Sequence, residues 1–175
     1  MSTFKIVDPL IGAQPVTQVD TVQRWPLGYV ARGVDQGTGT GARAGGQFIY
    51  LQGSNCSSAG RWVAISGNQA VLAGTVNSTS PSPLAVACGV LSATSQYGWG
   101  MIQGPCDFGL GTNSSIAAGN GLYFAAGTAG VVVTNVVVGN RVQGACLGAS
   151  YTSSQSLSQS YFLNFPSYGA LTASN

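Results

Sequence analysis

The chain has 175 residues, with six basic side chains, four aspartates, no histidine and no glutamate, for a formal net charge of +2. That inventory removes most groups that exchange protons near neutral pH, which argues against an enzyme, and it is too small for an electrostatic grip on nucleic acid. A hydrophobic fraction of 45% with 26 glycines and no G-x-y period excludes both a wholly disordered chain and collagen.

No apolar signal region follows Met1, so export by a standard leader is not expected. The longest apolar runs, Val131–Val133 and Val136–Val138, are far too short to cross a bilayer, so no membrane association is expected. Cys56, Cys88, Cys106 and Cys146 allow three disulfide pairings. Without an export signal, buried free thiols are favoured, and the paired spacing of a zinc site is missing.

Residues 1–27 read as an extended arm. Pro9, Pro15 and Pro26 disfavour helix and central strand, while Phe4, Ile6, Leu10, Ile11 and Trp25 are apolar groups that a flexible tail would not need. From residue 28 to 175 the pattern is that of a β-rich body. Tyr29–Asp35 is a strand, Gln36–Gly46 a glycine-rich loop, and Gln47–Gln52 a strand alternating Phe48 and Tyr50 against Ile49 and Leu51. Gly53–Gly60 turns, Arg61–Ser66 is a strand, and Gly67-Asn68 opens a turn before a brief strand at Val71–Val76.

After a polar loop at Asn77–Pro83, Leu84–Ser92 and Tyr97–Gln103 form a hairpin around Ala93–Gln96. Further strands fall at Leu122–Ala125, Val131–Thr134, Arg141–Leu147 and Tyr161–Phe165, with a short helical turn near Ser114–Ala118 and a hydroxyl-rich link at Ser150–Ser160. Short runs at this spacing predict an all-β fold, a small barrel or sandwich of antiparallel strands.

Chemistry-bearing constellations are scarce. The run Gly37–Gly46 lacks the Lys and the flanking strand and helix of a phosphate cradle. Serine and cysteine nucleophiles have no histidine beside them, and nothing brings Asp35 and Asp107 together as a carboxylate pair. No EF-hand pattern is present. Tyr97, Trp99, Tyr123, Phe124 and Tyr151 are candidates for a sugar-stacking platform, although such residues in alternating strands usually serve as core or interface anchors. Arg24, Arg32 and Arg43 fit carboxylate anchors across an interface, where a guanidinium fork supplies geometry that lysine lacks.

The central segments resemble the capsid cement or decoration proteins (head auxiliary proteins) of tailed bacteriophages. The likeness lies in Leu27–Asp35 (LGYVARGVD), Gly46–Gly53 (GQFIYLQG), Ala87–Val90 (ACGV) with Tyr97–Gly104 (YGWGMIQG), and Ala125–Val131 leading into Val138–Ala145. It spans roughly residues 27–165, and its motifs are structural rather than catalytic. Comparable sequences often carry aspartates after the position of Gly130, where this chain has Val132, Val133, Thr134 and Asn135; the region before Leu27 has no counterpart.

The resemblance implies a β-rich subunit, commonly a homotrimer, on the outer surface of the virion capsid. There it would clamp neighbouring major capsid proteins, with no cofactor, no catalytic residue and no direct contact with nucleic acid. Phe4, Ile6, Leu10, Ile11 and Trp25 are then the expected apolar pegs, and Arg24, Arg32 and Arg43 the cross-subunit pairs. The alternatives are a virion fibre or spike subunit that binds a glycan, and a cellular β-domain of unassigned role.

Overall fold

The computed structural model describes residues 4–8, 12–35, 45–73, 82–112, 121–125, 128–133, 141–148 and 156–169. Every regular element among them is a strand: β1 (Phe4–Asp8), β2 (Gly12–Pro15), β3 (Val19–Asp20), β4 (Val30–Asp35), β5 (Gly45–Gly53), β6 (Trp62–Ser66) and β7 (Gln69–Leu72), then β8 (Leu84–Ala87), β9 (Tyr97–Thr112), β10 (Gly121–Phe124), β11 (Val132–Val133), β12 (Arg141–Leu147) and β13 (Ser156–Gly169). The fold is all-β with mixed topology. Most pairs are antiparallel, and the parallel ones are β5–β7 and β9–β11.

β9 organises the molecule. Its first half pairs with β5 from Tyr97 to Gln103, while its other edge takes β3 at Tyr97 and Gly98 and β8 at Gly100 and Met101. Its second half, from Gln103 to Thr112, pairs with β13. Following the ladders β9–β8–β6–β7–β5 returns to β9, and so does β9–β13–β12–β10–β11. A strand that serves both circuits has to bend between them. Gly104 sits there at φ +108°, where a Cβ would lie 2.8 Å from the Gly45 carbonyl oxygen, so the bend admits only glycine without strain.

Alternation fills the interior. Phe48 and Tyr50 of β5, Trp62 of β6, Trp99 of β9, Phe124 of β10 and Tyr161 of β13 are all buried in one cluster. Its rings meet obliquely: Tyr50 and Trp99 have centroids 5.0 Å apart, and Trp62 lies edge-on to Tyr161 at 5.4 Å. Such pairs add about 0.5–1.5 kcal/mol each beyond the area they bury. Leu51, Val63, Ala85, Ala87, Leu91 and Ile102 form a second cluster. Every residue of β8 is accordingly buried, as expected of a strand covered on both faces. Among the described residues the buried Trp62 indole N–H meets no hydrogen-bond acceptor.

Several boundaries differ from the sequence expectation. Residues 1–27 supply three strands bonded to the chain's own sheet: β1 to β4 and β2, and β3 to β9. The strand expected to run to Ser92 stops at Ala87, and that expected to end at Gln103 runs on to Thr112. Gly104, Pro105 and Gly109 read as breakers, yet Pro105 pairs with Phe162 and Gly109 with Gln159. The brief strand after the Gly67-Asn68 turn starts at Gln69, because both turn residues have positive φ (56° and 62°) and close a two-residue hairpin directly.

Ser156–Ser160, read as part of a link, opens β13, while Gly45 and Gly46, read as loop, open β5. The rest of that loop and the helical turn near Ser114–Ala118 lie outside the described residues. All four cysteines are free thiols; Cys56, Cys88 and Cys106 are buried, and burial pushes the Cys56 and Cys88 thiols up.

Candidate interaction surface

The outer face of β1, β4 and β5 follows from strict alternation. Ile6, Ala31, Gly33, Gly46 and Phe48 point inward, which leaves Lys5, Val7, Val30, Arg32, Val34, Gly45 and Gln47 outside or half-outside. Val7, Val30 and Val34 are 39%, 43% and 40% exposed, unusual for β-branched residues in a paired sheet. The register carries this face further. Arg32 lies opposite Gln47, Gln47 opposite Gln103 of β9, and Gln103 opposite Asn164 of β13, so four polar side chains form a row across four strands.

Beside it runs an apolar row. Lys5 and Gly45 lie opposite Val34, and further along Pro105 lies opposite Phe162, which is 55% exposed. Where the rows meet is an open groove of about 340 Å³, walled by Val7, Val34, Arg32, Gln47 and Gln103. Its floor is bare because Gly45 has no side chain. A Cβ there would touch only the Gly33 carbonyl oxygen, at 3.7 Å, so the sheet itself does not require the glycine. Among the described residues Lys5 and Arg32 have no ion-pair partner, and the Gln47 and Gln103 amides make no side-chain hydrogen bond.

A second polar assembly lies under the first 25 residues. Asp20 is buried and accepts from Arg24 Nε at 2.9 Å and Gln18 Nε2 at 2.9 Å on one oxygen, and from the Tyr50 hydroxyl at 3.0 Å on the other. The Tyr50 oxygen also accepts from the Arg24 backbone N–H at 3.4 Å. Burial, opposed by that N–H and reinforced by Asp20, pushes the Tyr50 phenol up to about 12. Gln14, oriented with its amide oxygen toward the two indoles, accepts from Trp99 Nε1 at 3.0 Å and Trp25 Nε1 at 3.2 Å. β2 and β3 are thereby fastened to β5 and β9 through the half-buried Gln14 and the buried Asp20.

The sequence-derived contact residues are distributed unevenly over these two assemblies. Arg32 lines the groove and has no ion-pair partner among the described residues. Ile6 is fully buried in the chain's own core, on the opposite face of β1 from the groove. Arg24 forms its ion pair with Asp20 of the same chain, and Trp25 packs half-buried on the core. Phe4 holds a register position opposite Asp35. Leu10, Ile11 and Arg43 lie outside the described residues.

Of the aromatic platform, Trp99 and Phe124 are buried, Tyr123 is half-buried, and Tyr97, also half-buried, is stacked on Tyr50 with centroids 6.4 Å apart; Tyr151 lies outside the described residues. Sequence reasoning missed Lys5, Val7, Val34, Gln47 and Gln103. The alternations Lys5-Ile6-Val7 and Arg32-Gly33-Val34 were available as a signal. The pairing of Gln47 with Gln103 and of Asp20 with Tyr50 had none, since each joins residues far apart in sequence. Among the described residues no group of three or more histidine, cysteine or acidic side chains is placed to hold a metal ion.

Compared with protein-family models, with curated proteins and with solved structures, the chain matches none.

Proposed function

We propose that this chain is a structural protein of a tailed-bacteriophage virion, a decoration subunit that binds the outer surface of the capsid and clamps neighbouring major capsid proteins. The observation that carries the reading is the face spanning β1, β4, β5, β9 and β13. It presents exposed valines, an exposed phenylalanine and an arginine with no ion-pair partner among the described residues. Apolar area left in water is costly, and covering it contributes about 25 cal/mol per Å², a gain that symmetry multiplies over a shell. The sequence resemblance supplies the kind of partner, and a homotrimer is the assembly in which we place the subunit.

In this reading the two ladder circuits are two small β-barrels sharing β9, a stiff body that holds the contact face at a fixed angle. The role asks for no cofactor and no catalytic residue. A glycan-binding role is supported less well, because burial of Trp99 and Phe124 leaves only the half-buried Tyr97 and Tyr123 of the expected ring platform among the described residues.

The test is sedimentation of the purified chain with DNA-filled heads of the phage that encodes it, prepared without it. Co-sedimentation at saturating, symmetry-related copy number and a higher temperature of DNA release are expected. A chain that stays in the supernatant, with heads no more heat-resistant, refutes the proposal. Deleting residues 1–20 is a poor substitute, since it removes β1 and the core residues Ile6 and Val16 along with any contact.

A further inference from the structure

We infer that the groove and the polar row behind it are a docking track for an extended acidic segment of a partner protein. The segment would lie across β4, β5, β9 and β13 with a carboxylate on Arg32; that the partner is a capsid protein rests on the function proposed above.

Four features select this occupant. Arg32 is a planar two-pronged donor with no partner among the described residues, and a carboxylate fills both prongs. Lys5 adds a second cation on the same face with no ion-pair partner among the described residues. Gln47, Gln103 and Asn164 continue the row with amides that both donate and accept, as peptide groups do. A bare phosphodiester offers only acceptors and would leave the amide oxygens unused. The apolar row through Val34 and Phe162 gives a neighbouring side chain something to cover.

The dimensions agree. Strands lie about 4.8 Å apart, so Arg32 to Asn164 spans about 14 Å, which four to five residues of extended chain cover at about 3.3 Å each. A second copy of this chain is a poor occupant. It has only four aspartates, and Asp20 is already buried against Arg24, Gln18 and Tyr50.

The experiment titrates the ¹⁵N-labelled full chain with an end-blocked nonapeptide of threonine and valine carrying one central aspartate, and with its asparagine analogue. The expected result is saturable shifts at the Gly45, Gly46 and Gln47 amides and at Arg32 Nε, with the asparagine peptide at least fivefold weaker. Arg32→Glu should abolish the response. Gly45→Leu, which fills the groove floor without touching the core, should weaken it at least tenfold at an unchanged melting temperature.

Equal affinity for both peptides, shifts that map elsewhere, or full binding by Arg32→Glu overturns the inference. So does a response to chain concentration without peptide, which assigns the face to a second copy. Sedimentation of the same variants with heads separates the two proposals. If heads retain Arg32→Glu and Gly45→Leu as well as the parent, the track is wrong and the decoration role stands. If the peptide binds as expected but heads do not retain the parent chain, the role is wrong and the track stands.

Discussion

Asp20 gathers donors from three places in the chain onto one buried carboxylate, and it joins the β-ladders and the Gln14 bonds in holding the first 25 residues. Replacing it by alanine leaves the buried Tyr50 hydroxyl without its acceptor, a loss of about 2 kcal/mol. The expected readout is a lower urea midpoint with an unchanged slope, and faster proteolysis near Arg24. Tyr50 gives a second prediction. Its phenol titrates at about 12 when folded and near 10 when unfolded, so between those values the unfolded chain has lost a proton that the folded chain keeps. Stability therefore holds below about pH 10 and falls as pH rises toward about 12. Tyr50→Phe should flatten that decline, and equal declines in the two proteins would remove Tyr50 as its cause.

At the scale of the element, β9 carries the most information. Its bend depends on one residue: Gly104→Ala introduces a Cβ at φ +108°, 2.8 Å from a carbonyl oxygen, and should cost at least about 2 kcal/mol. Gly45→Ala, in the next strand but facing open space, should change stability by no more than about 0.5 kcal/mol. Thermal melts of the two variants decide whether glycine is needed for the bend or merely present in a glycine-rich chain. The same strand shows where sequence reading fails. Gly104-Pro105 looks like an end because local propensity disfavours strand there, and tertiary pairing with β13 overrides it. β12, by contrast, falls at the expected Arg141–Leu147, although it holds Gly144 at φ +70° and a register shift at that point.

For the whole molecule, the absence of histidine has a measurable consequence. The Cys56 and Cys88 thiols are pushed up, away from neutrality. Melting temperatures at pH 6 and pH 8 should therefore agree within about 2 °C, equivalent to less than about 1 kcal/mol. A larger difference would reveal a titrating group within that range that composition does not suggest.

The sequence by itself determined the β class and the position of most strands, because alternation, turn residues and composition are local properties of the chain; that the four cysteines are free thiols came from the structure. The sequence also marked Arg32 as a contact residue. Only the tertiary structure decided that Arg24 is held by Asp20 while Arg32 has no ion-pair partner among the described residues, that Ile6 faces the core, and that Gln47, Gln103 and Asn164 stand in one row. Those facts depend on register between strands tens of residues apart. Register is set by the packing of the whole core, and no local pattern encodes it.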